Sequence, residues 1–499
     1  MNEAQATLDA LKKGLASPDA ALMKATTFVQ PGSATSGINY YDLEAGAKML
    51  YPVLTPLRNM IPRVSGRGGI QANWRAITGI NVTNVAAGVS GGNRGGVIAV
   101  TTKDYIAAYR GLGLESSVDF EADYAAEGFD DVKALATRTL LESVMIQEEI
   151  TILGGNGSAV ALGTCPTPTV TPSTTGGALP AATYSVICYA LTLQGFLNDS
   201  VAGGILGQVT RTNADGSQDQ FGGGSSQRSA AASAVVGGSG AGSIAATVAA
   251  VNGAVGYAWF WGAAGSETLG AITTINSLVI TAAATGTQLS SAVPNGGADN
   301  SKNALLFDGL LYQALASGSG AYVKVMPTGT AGVGTPLTAD GAGGIVEIDA
   351  AFKSMWDTLR LSPDLIMVAS QEAQNISTKI LAGTATAAQR FVFTVDQSKI
   401  GGGVMVTSYR NKFSMNGAIE VPIKIHPNLV NGTMLMITMK LPYPLSNVGN
   451  VIQIRTRREY YQIDWPLRSR KYEYGVYCDE VLQHYFPPSM AVITNIANG

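Results

Sequence analysis

The sequence predicts an α+β chain interrupted by a separate β-sandwich. Three observations predict it. A long helical stretch, Phe129 to Leu153, follows a glycine-tipped β-hairpin. Residues 164–300 then lose nearly all charge and break into short strands between glycine-rich turns. After residue 300 helical periodicity resumes, so the strand-rich stretch is an insert.

Composition bounds this reading. The 499 residues allow two or three domains. Charged residues make up 13% of the chain, against roughly 25% in a typical globular protein. With 46% hydrophobic residues and 60 glycines, this suits a chain that hides surface against other subunits, because obligate interfaces resemble a core cut in half. It equally suits a large turn-rich β protein. The formal net charge of −3 argues against a dedicated nucleic-acid binder, which would concentrate basic charge. Cys165, Cys188 and Cys478 are too few for a disulfide framework and fit a reducing cytosol. Met1 to Lys24 has scattered charges and no long apolar core, unlike a signal peptide. Ser229 to Ser266 is uncharged, but Gly, Ser and Asn252 interrupt it and Tyr257, Trp259 and Trp261 alternate as in a strand.

Taken in order, residues 1–65 read as an N-terminal arm punctuated by Pro31, Pro52, Pro56 and Pro62, with a short helix at Tyr41–Leu50. Leu50, Tyr51, Val53, Leu54 and Leu57 need a partner surface. Residues 66–112 form an extended hairpin, with Ile70–Ile77 and Val97–Thr102 around the tip Gly88–Gly96 and with Arg75, Arg94 and Lys103 projecting. A two-stranded ribbon is marginal alone in water, so a neighbouring subunit is the simplest support. The helix 129–153 opens with Asp130 and Asp131 at its positive end and stops at Gly154–Gly155. At 1.5 Å per residue it would be roughly 35 Å long.

The insert, 164–300, opens on Thr-Pro alternation. Its strands are expected at Thr183–Leu191, Ile205–Arg211, Ala245–Val251, Val255–Gly262 and Ser277–Ala283. Helices are expected at Asn303–Ala316, Glu347–Leu361 and Gln371–Leu381, with a buried strand at Asp364–Ala369. Strands follow at Arg390–Val395, Val404–Ser408, Glu420–Ile425 and Thr433–Thr438. The chain closes with Val451–Trp465, Lys471–Val481 and a Pro487–Pro488 tail.

Catalytic patterns are missing. His426 and His484 are the two histidines, far apart in sequence, and read as structural polar residues. No GxxxxGK[ST] loop, HExxH or CxxC pair occurs, and Gly222–Gly224 and Gly401–Gly403 read as turns. The acidic run Glu115, Asp119, Glu121, Asp123, Glu127, Asp130, Asp131 lacks EF-hand spacing. It reads as a solvated face or one side of an inter-subunit ion pair, with Glu121 and Asp123 as candidates. Arg455, Arg457, Arg458, Arg468, Arg470 and Lys471 form a basic cluster on the last strands. They could meet nucleic-acid phosphate, pair with a neighbour's acidic run, or simply face solvent. Cys478, in phase with Tyr472, Tyr474 and Val476, reads as a buried thiol. No cofactor, metal or enzymatic activity is expected.

The C-terminal third carries Ile425-His426-Pro427-Asn428-Leu429-Val430-Asn431-Gly432-Thr433, Leu441-Pro442-Tyr443-Pro444, Glu459-Tyr460-Tyr461-Gln462-Ile463-Asp464-Trp465-Pro466 and Glu480-Val481-Leu482 before Pro487-Pro488. Together these resemble the closing region of tailed-phage major capsid proteins with the HK97-like fold. The order of parts is also similar, outside 164–300. The insert, with Tyr184-Ser185-Val186 and Gly256-Tyr257-Ala258-Trp259, resembles the Ig-like or fibronectin-like modules such proteins carry.

The resemblance implies an N-terminal arm (1–65), an E-loop (66–112), a peripheral domain (113–163 and 441–499) with spine helix 129–153, peripheral or connecting helices (301–360) and an axial domain (361–440). It implies self-assembly into hexamers and pentamers of an icosahedral shell around double-stranded viral DNA, located in the virion capsid and assembled in the host cytoplasm. The implied partners are further copies of the chain, a portal, scaffolding or decoration proteins, and packaged DNA contacted without sequence preference; no membrane is implied. No large segment precedes the arm, which implies a separate scaffolding protein or assembly without one. The covalent lysine–asparagine cross-link of some members is not carried over, because its partner positions have no match here. The rival readings are an encapsulin-like nanocompartment shell, a secreted β-rich adhesin or surface-layer protein and a carbohydrate-active enzyme. The insert could bind glycans only if Trp259, Phe260 and Trp261 formed a platform.

Overall fold

The structure, a computed structural model, describes residues 50–66, 68–80, 87–127, 131–238, 240–381, 405–414, 417, 419–443 and 445–499. The expected helix at Tyr41–Leu50 (Leu50 apart), the strand at Arg390–Val395 and the turn Gly401–Gly403 lie outside them. The chain divides into two compact units: one of residues up to Thr55 with Gly113–Ile146 and Gln462–Val476, the other of Pro56–Leu112, Gln147–Tyr461 and Tyr477–Gly499.

A short helix α1 (Pro56–Met60) leads to strand β1 (Arg63–Ser65) and the hairpin β2 (Gln71–Ile80) and β3 (Val100–Ala108). Strand β4 (Arg110–Asp119), helix α2 (Phe120–Ala125) and the long helix α3 (Val132–Gly154) follow. The Asp131 side chain accepts from the Ala134 N–H at 3.0 Å, as an N-cap should. The helix stops where other chain closes on it. A Cβ on Gly154 would lie 2.1 Å from Leu193 Cδ2, and one on Gly155 2.4 Å from the Phe307 carbonyl oxygen.

Residues 164–300 hold β5 (Thr169–Ser173), β6 (Ala182–Leu191), helix α4 (Leu193–Asn198), β7 (Gln208–Thr212), β8 (Gln218–Gly222), β9 (Ala232–Val236), β10 (Ser243–Thr247), β11 (Gly256–Gly262), β12 (Thr268–Thr273) and β13 (Ser277–Ile280). They form a three-stranded sheet, β13-β10-β5, a four-stranded sheet, β12-β11-β6-β9, and the pair β7-β8. Alternation along β6 and β11 builds two cores. Val186, Cys188, Ala190, Trp259 and Trp261 join Ile244, Ala246 and Ile280 of the three-stranded sheet. Ile187, Tyr189, Leu191 and Phe260 join Ile205, Leu269 and Val293 on the opposite face. A sheet covered on both faces has little room for charge, which explains the composition shift. Trp259, Phe260 and Trp261 are buried. Trp259 Nε1 donates to Thr273 Oγ1 at 2.9 Å and Trp261 Nε1 to the Ala282 carbonyl at 3.0 Å. They are core residues, so the glycan-platform expectation loses its basis.

Past the insert come α5 (Leu310–Leu315), β14 (Tyr322–Val325), α6 (Val346–Leu359), β15 (Leu365–Val368), α7 (Ser370–Leu381), β16 (Ser408–Asn411), β17 (Ile419–Ile425), β18 (Met434–Ile437), β19 (Ile452–Asp464), β20 (Lys471–His484) and β21 (Ala491–Thr494). The helix expected over Asn303–Ala316 is confined to Leu310–Leu315. Before it, Asn303 Oδ1 accepts from the Leu305 N–H at 3.0 Å, and this side-chain turn competes with helix. Nor is Pro487–Pro488 a tail: the two prolines enter a 3₁₀ turn, and β21 then pairs between β14 and β18.

That six-stranded sheet runs β14-β21-β18-β15-β17-β16. Leu365, Met367, Leu435, Ile437 and Val492 face one core. Ile366, Val368, Met434, Met436 and Ile493 face the other, beside Ile348, Phe352 and Met355 of α6 and Ile376 of α7. Another sheet runs β1-β19-β20-β4, with β1 parallel to β19. No helix among the described residues is long and apolar enough to cross a membrane.

Candidate functional site

The hairpin β2–β3 is the described element most in need of a partner. Its register places Asn73 opposite Ile106, Arg75 opposite Asp104 and Ile77 opposite Thr102, and directly opposed residues share a face. A bulge between Ile77 and Gly79 then shifts the pairing, so that Ile80 lies opposite Val100. Without it, strict alternation would put Ile80 on the face opposite Ile77. The bulge thus gathers Ile77, Ile80, Val100 and Ile106 into one stripe. All four are exposed, Ile77 by 66% and Ile106 by 64%, and near the tip Val97 is exposed by 93%. Midway along the stripe, Arg75 clasps Asp104 with two hydrogen bonds, 2.6 and 2.8 Å. That hydrogen bonding holds the Asp104 carboxyl below its usual range.

The other face turns to the chain's own body. Trp74 stacks on Tyr105 with ring centroids 5.7 Å apart and meets Tyr485 edge-on at the same separation. Lys103 lies 5.1 Å over the Tyr105 ring. Beside this face is a crevice of about 340 Å³ lined by Trp74, Arg110, Asp308, Leu482 and His484 among others. Arg75 and Lys103 therefore project on opposite faces, and Arg94 is exposed at the tip.

The C-terminal charges separate into small local pairs. Arg457 donates to Asp479 at 2.8 Å and sits 5.9 Å over the Tyr109 ring; the Asp479 hydrogen bond holds its guanidinium above its ordinary value. Arg458 stacks 3.7 Å over Tyr461. Arg455 is half-buried, and its Nε finds no partner among the described residues. In the other unit Arg470 reaches Glu121 at 3.6 Å, Lys471 reaches Asp119 at 3.3 Å, and Lys133 pairs with Asp123 at 2.7 Å. Arg468 is exposed. Within the chain, then, the acidic run and the basic cluster already meet. Such exposed pairs are each worth little.

Both histidines are buried. His484 is buried, its Nδ1 accepts from the Phe486 N–H, and burial pushes its pKa down to about 3, so it stays neutral. His426 accepts from the Asn428 N–H through Nδ1, which leaves Nε2–H to donate to Glu149 at 2.7 Å; both side chains are fully buried. Cys165, Cys188 and Cys478 are free and buried, as expected for Cys478, whose thiol burial pushes well up. Among the described residues no group of three or more His, Cys, Asp or Glu could hold a metal ion.

A buried charge cluster was not anticipated. Glu149 of α3 accepts from the N–H groups of Leu57 and Arg58 at 2.8 and 2.7 Å, capping α1 from outside. Glu148 beside it takes the Arg58 guanidinium at 2.8 Å, the Arg63 guanidinium and the Tyr460 hydroxyl. Arg63 also binds Glu480 of β20 at 3.1 Å. Burial raises Glu148 above its ordinary value against the pull of Arg63 and Arg58, and burial plus the Glu148 charge pushes Glu480 up to about 8. A signal was present in the sequence: Glu148-Glu149 stands inside the apolar run from Val144 to Leu153, where solvated charge would be out of place.

No family model and no curated protein matches the chain. Among solved structures it is similar to a chain of the capsid of Myoviridae phage XM1, at 9% identity and TM-score 0.40 over 92% of this chain and 97% of that one. It is similar to a chain of the capsid of a native GTA particle, at 8% identity and TM-score 0.41 over 97% and 100%. It is also similar to a chain of the holo-SrpI encapsulin complex from Synechococcus elongatus PCC 7942, at 9% identity and TM-score 0.34 over 91% and 93%.

Proposed function

We propose that the chain is a structural shell subunit, a major capsid protein of the HK97-like kind, which assembles with copies of itself into hexamers and pentamers around double-stranded DNA. The observation that carries this reading is the hairpin stripe of Ile77, Ile80, Val100 and Ile106, held away from the chain's own core by a bulge. An exposed apolar ribbon of this kind is costly in a free monomer and marks an interaction surface. A second copy is the occupant that a self-assembling shell supplies in closed symmetry. The small ion pairs at Arg457, Arg470 and Lys471 would keep the subunit surface neutral enough to pack closely.

A nonenzymatic role accords with this: both histidines are buried and hydrogen-bonded within the fold. The insert, read as an Ig-like module, would add bulk to the subunit without chemistry. The test is Ile77→Asp combined with Ile106→Asp. Both positions are exposed, so the free subunit should keep its stability within about 0.5 kcal/mol, while particle formation should be lost by electron microscopy. Particles formed as readily as by the parent chain would defeat the assignment of the hairpin.

A further inference from the structure

Residues 56–65 reach the rest of their unit through a set of buried charges that does not balance as drawn. Three carboxylates, Glu148, Glu149 and Glu480, share the cluster with two guanidiniums: Arg58 and Arg63 reach Glu148, Arg63 reaches Glu480, and Glu149 is met by the backbone N–H groups of Leu57 and Arg58. The other polar groups add no positive charge. His426 donates Nε2–H to Glu149, and its Nδ1 accepts from the Asn428 N–H. Tyr460 gives its hydroxyl proton to Glu148 in a hydrogen bond. Asp479, next to Glu480 on β20, is engaged by Arg457 on the exposed side, and the Cys478 thiol is buried. Glu480 itself has no exposure, and its Oε1 has no partner among the described residues. An unbalanced buried carboxylate is expensive, and the inexpensive remedy is a proton.

We infer that Glu148 and Glu480 form a one-proton latch: with a proton on the pair the cluster is neutral and holds residues 56–65 in place, and with the proton lost the hold weakens. The parts sit where a latch needs them. Arg58 and Arg63 belong to the segment that docks, while Glu148, Glu480 and Tyr460 belong to the helix and strands that receive it. Both guanidiniums also lie 5.2 Å from the Tyr460 ring centroid, so one aromatic orients both cations.

The direction of the pH effect follows from Glu480, raised from an ordinary 4.5 to about 8. Docked, the carboxyl keeps a proton that it releases once undocked. The latch is therefore tightest in acid, loosens as pH climbs from about 4.5 toward 8, and changes no further above that.

Hydrogen–deuterium exchange on the full chain reads this directly through the amides of Ile61, which donates to the Leu57 carbonyl, and Gly66, which donates to the Thr456 carbonyl. After correction for hydroxide catalysis, their opening should increase about tenfold per pH unit between roughly 5.5 and 7.5. Glu480→Gln keeps the shape and mimics the protonated acid, so its profile should be flat and protected. Tyr460→Phe removes one donor and leaves the proton, so exchange should be faster throughout with the slope retained. A flat parent profile would overturn the latch even if Glu480→Gln failed to fold, and so would a Glu480→Gln profile as steep as the parent's.

Discussion

Individual buried carboxylates set how this chain answers to pH. Glu372 of α7 is fully buried. Its Oε1 accepts from the Gly432 N–H at 2.7 Å, and its Oε2 has no partner among the described residues. Burial pushes it up to about 7. Because the folded value exceeds the unfolded one, its contribution to stability is complete below about 4.5 and is lost as pH rises toward 7. Glu372→Gln should shrink the loss of stability between pH 5 and 7.5 by up to about 3 kcal/mol, read from urea unfolding. An unchanged pH dependence would contradict that role. At this scale the sequence was legible for the residues whose pattern was unambiguous: Cys478 by strand alternation and the histidines by lack of catalytic company. For Glu148 and Glu149 the apolar run around them was a signal, but the partners of Glu148 and Glu480 were illegible, because Arg63 lies 85 and 417 residues distant along the chain.

Among the elements, the hairpin carries the sharpest consequence. Its strands and glycine-rich tip were readable from β-prone runs around Gly88–Gly96, but the bulge was not. A single extra residue changes no periodicity count, yet it decides whether Ile80 joins Ile77. Inserting one residue between Thr101 and Thr102 should give Thr78 a partner, restore plain alternation, turn Ile80 and Val100 to the Trp74 face and break the stripe in two. Assembly should fall while the remainder of the fold, judged by circular dichroism and melting, stays intact; unimpaired assembly would show that the stripe is not the contact. The helix α3 was legible because its caps and periodicity agree, and so was α6. Over Asn303–Asp308 an Asn-led turn overrode an apparently helical run. Strand β21 was missed because it is short and follows two prolines, and only its sheet neighbours give it burial.

For the whole molecule, the sheets that place residues hundreds of positions apart side by side could not be read from local pattern. The charge-poor, strand-rich character of residues 164–300 could be. Composition carried that character, since two cores on opposite faces of one sheet leave little surface for charge. The central claim is that this chain builds a shell from copies of itself. The most direct measurement is electron microscopy of the purified full chain across a range of concentrations, with the particles challenged by nuclease. Closed particles or ring-shaped capsomers, protecting nucleic acid when closed, are the predicted result. A chain that stays monomeric at every concentration would contradict it.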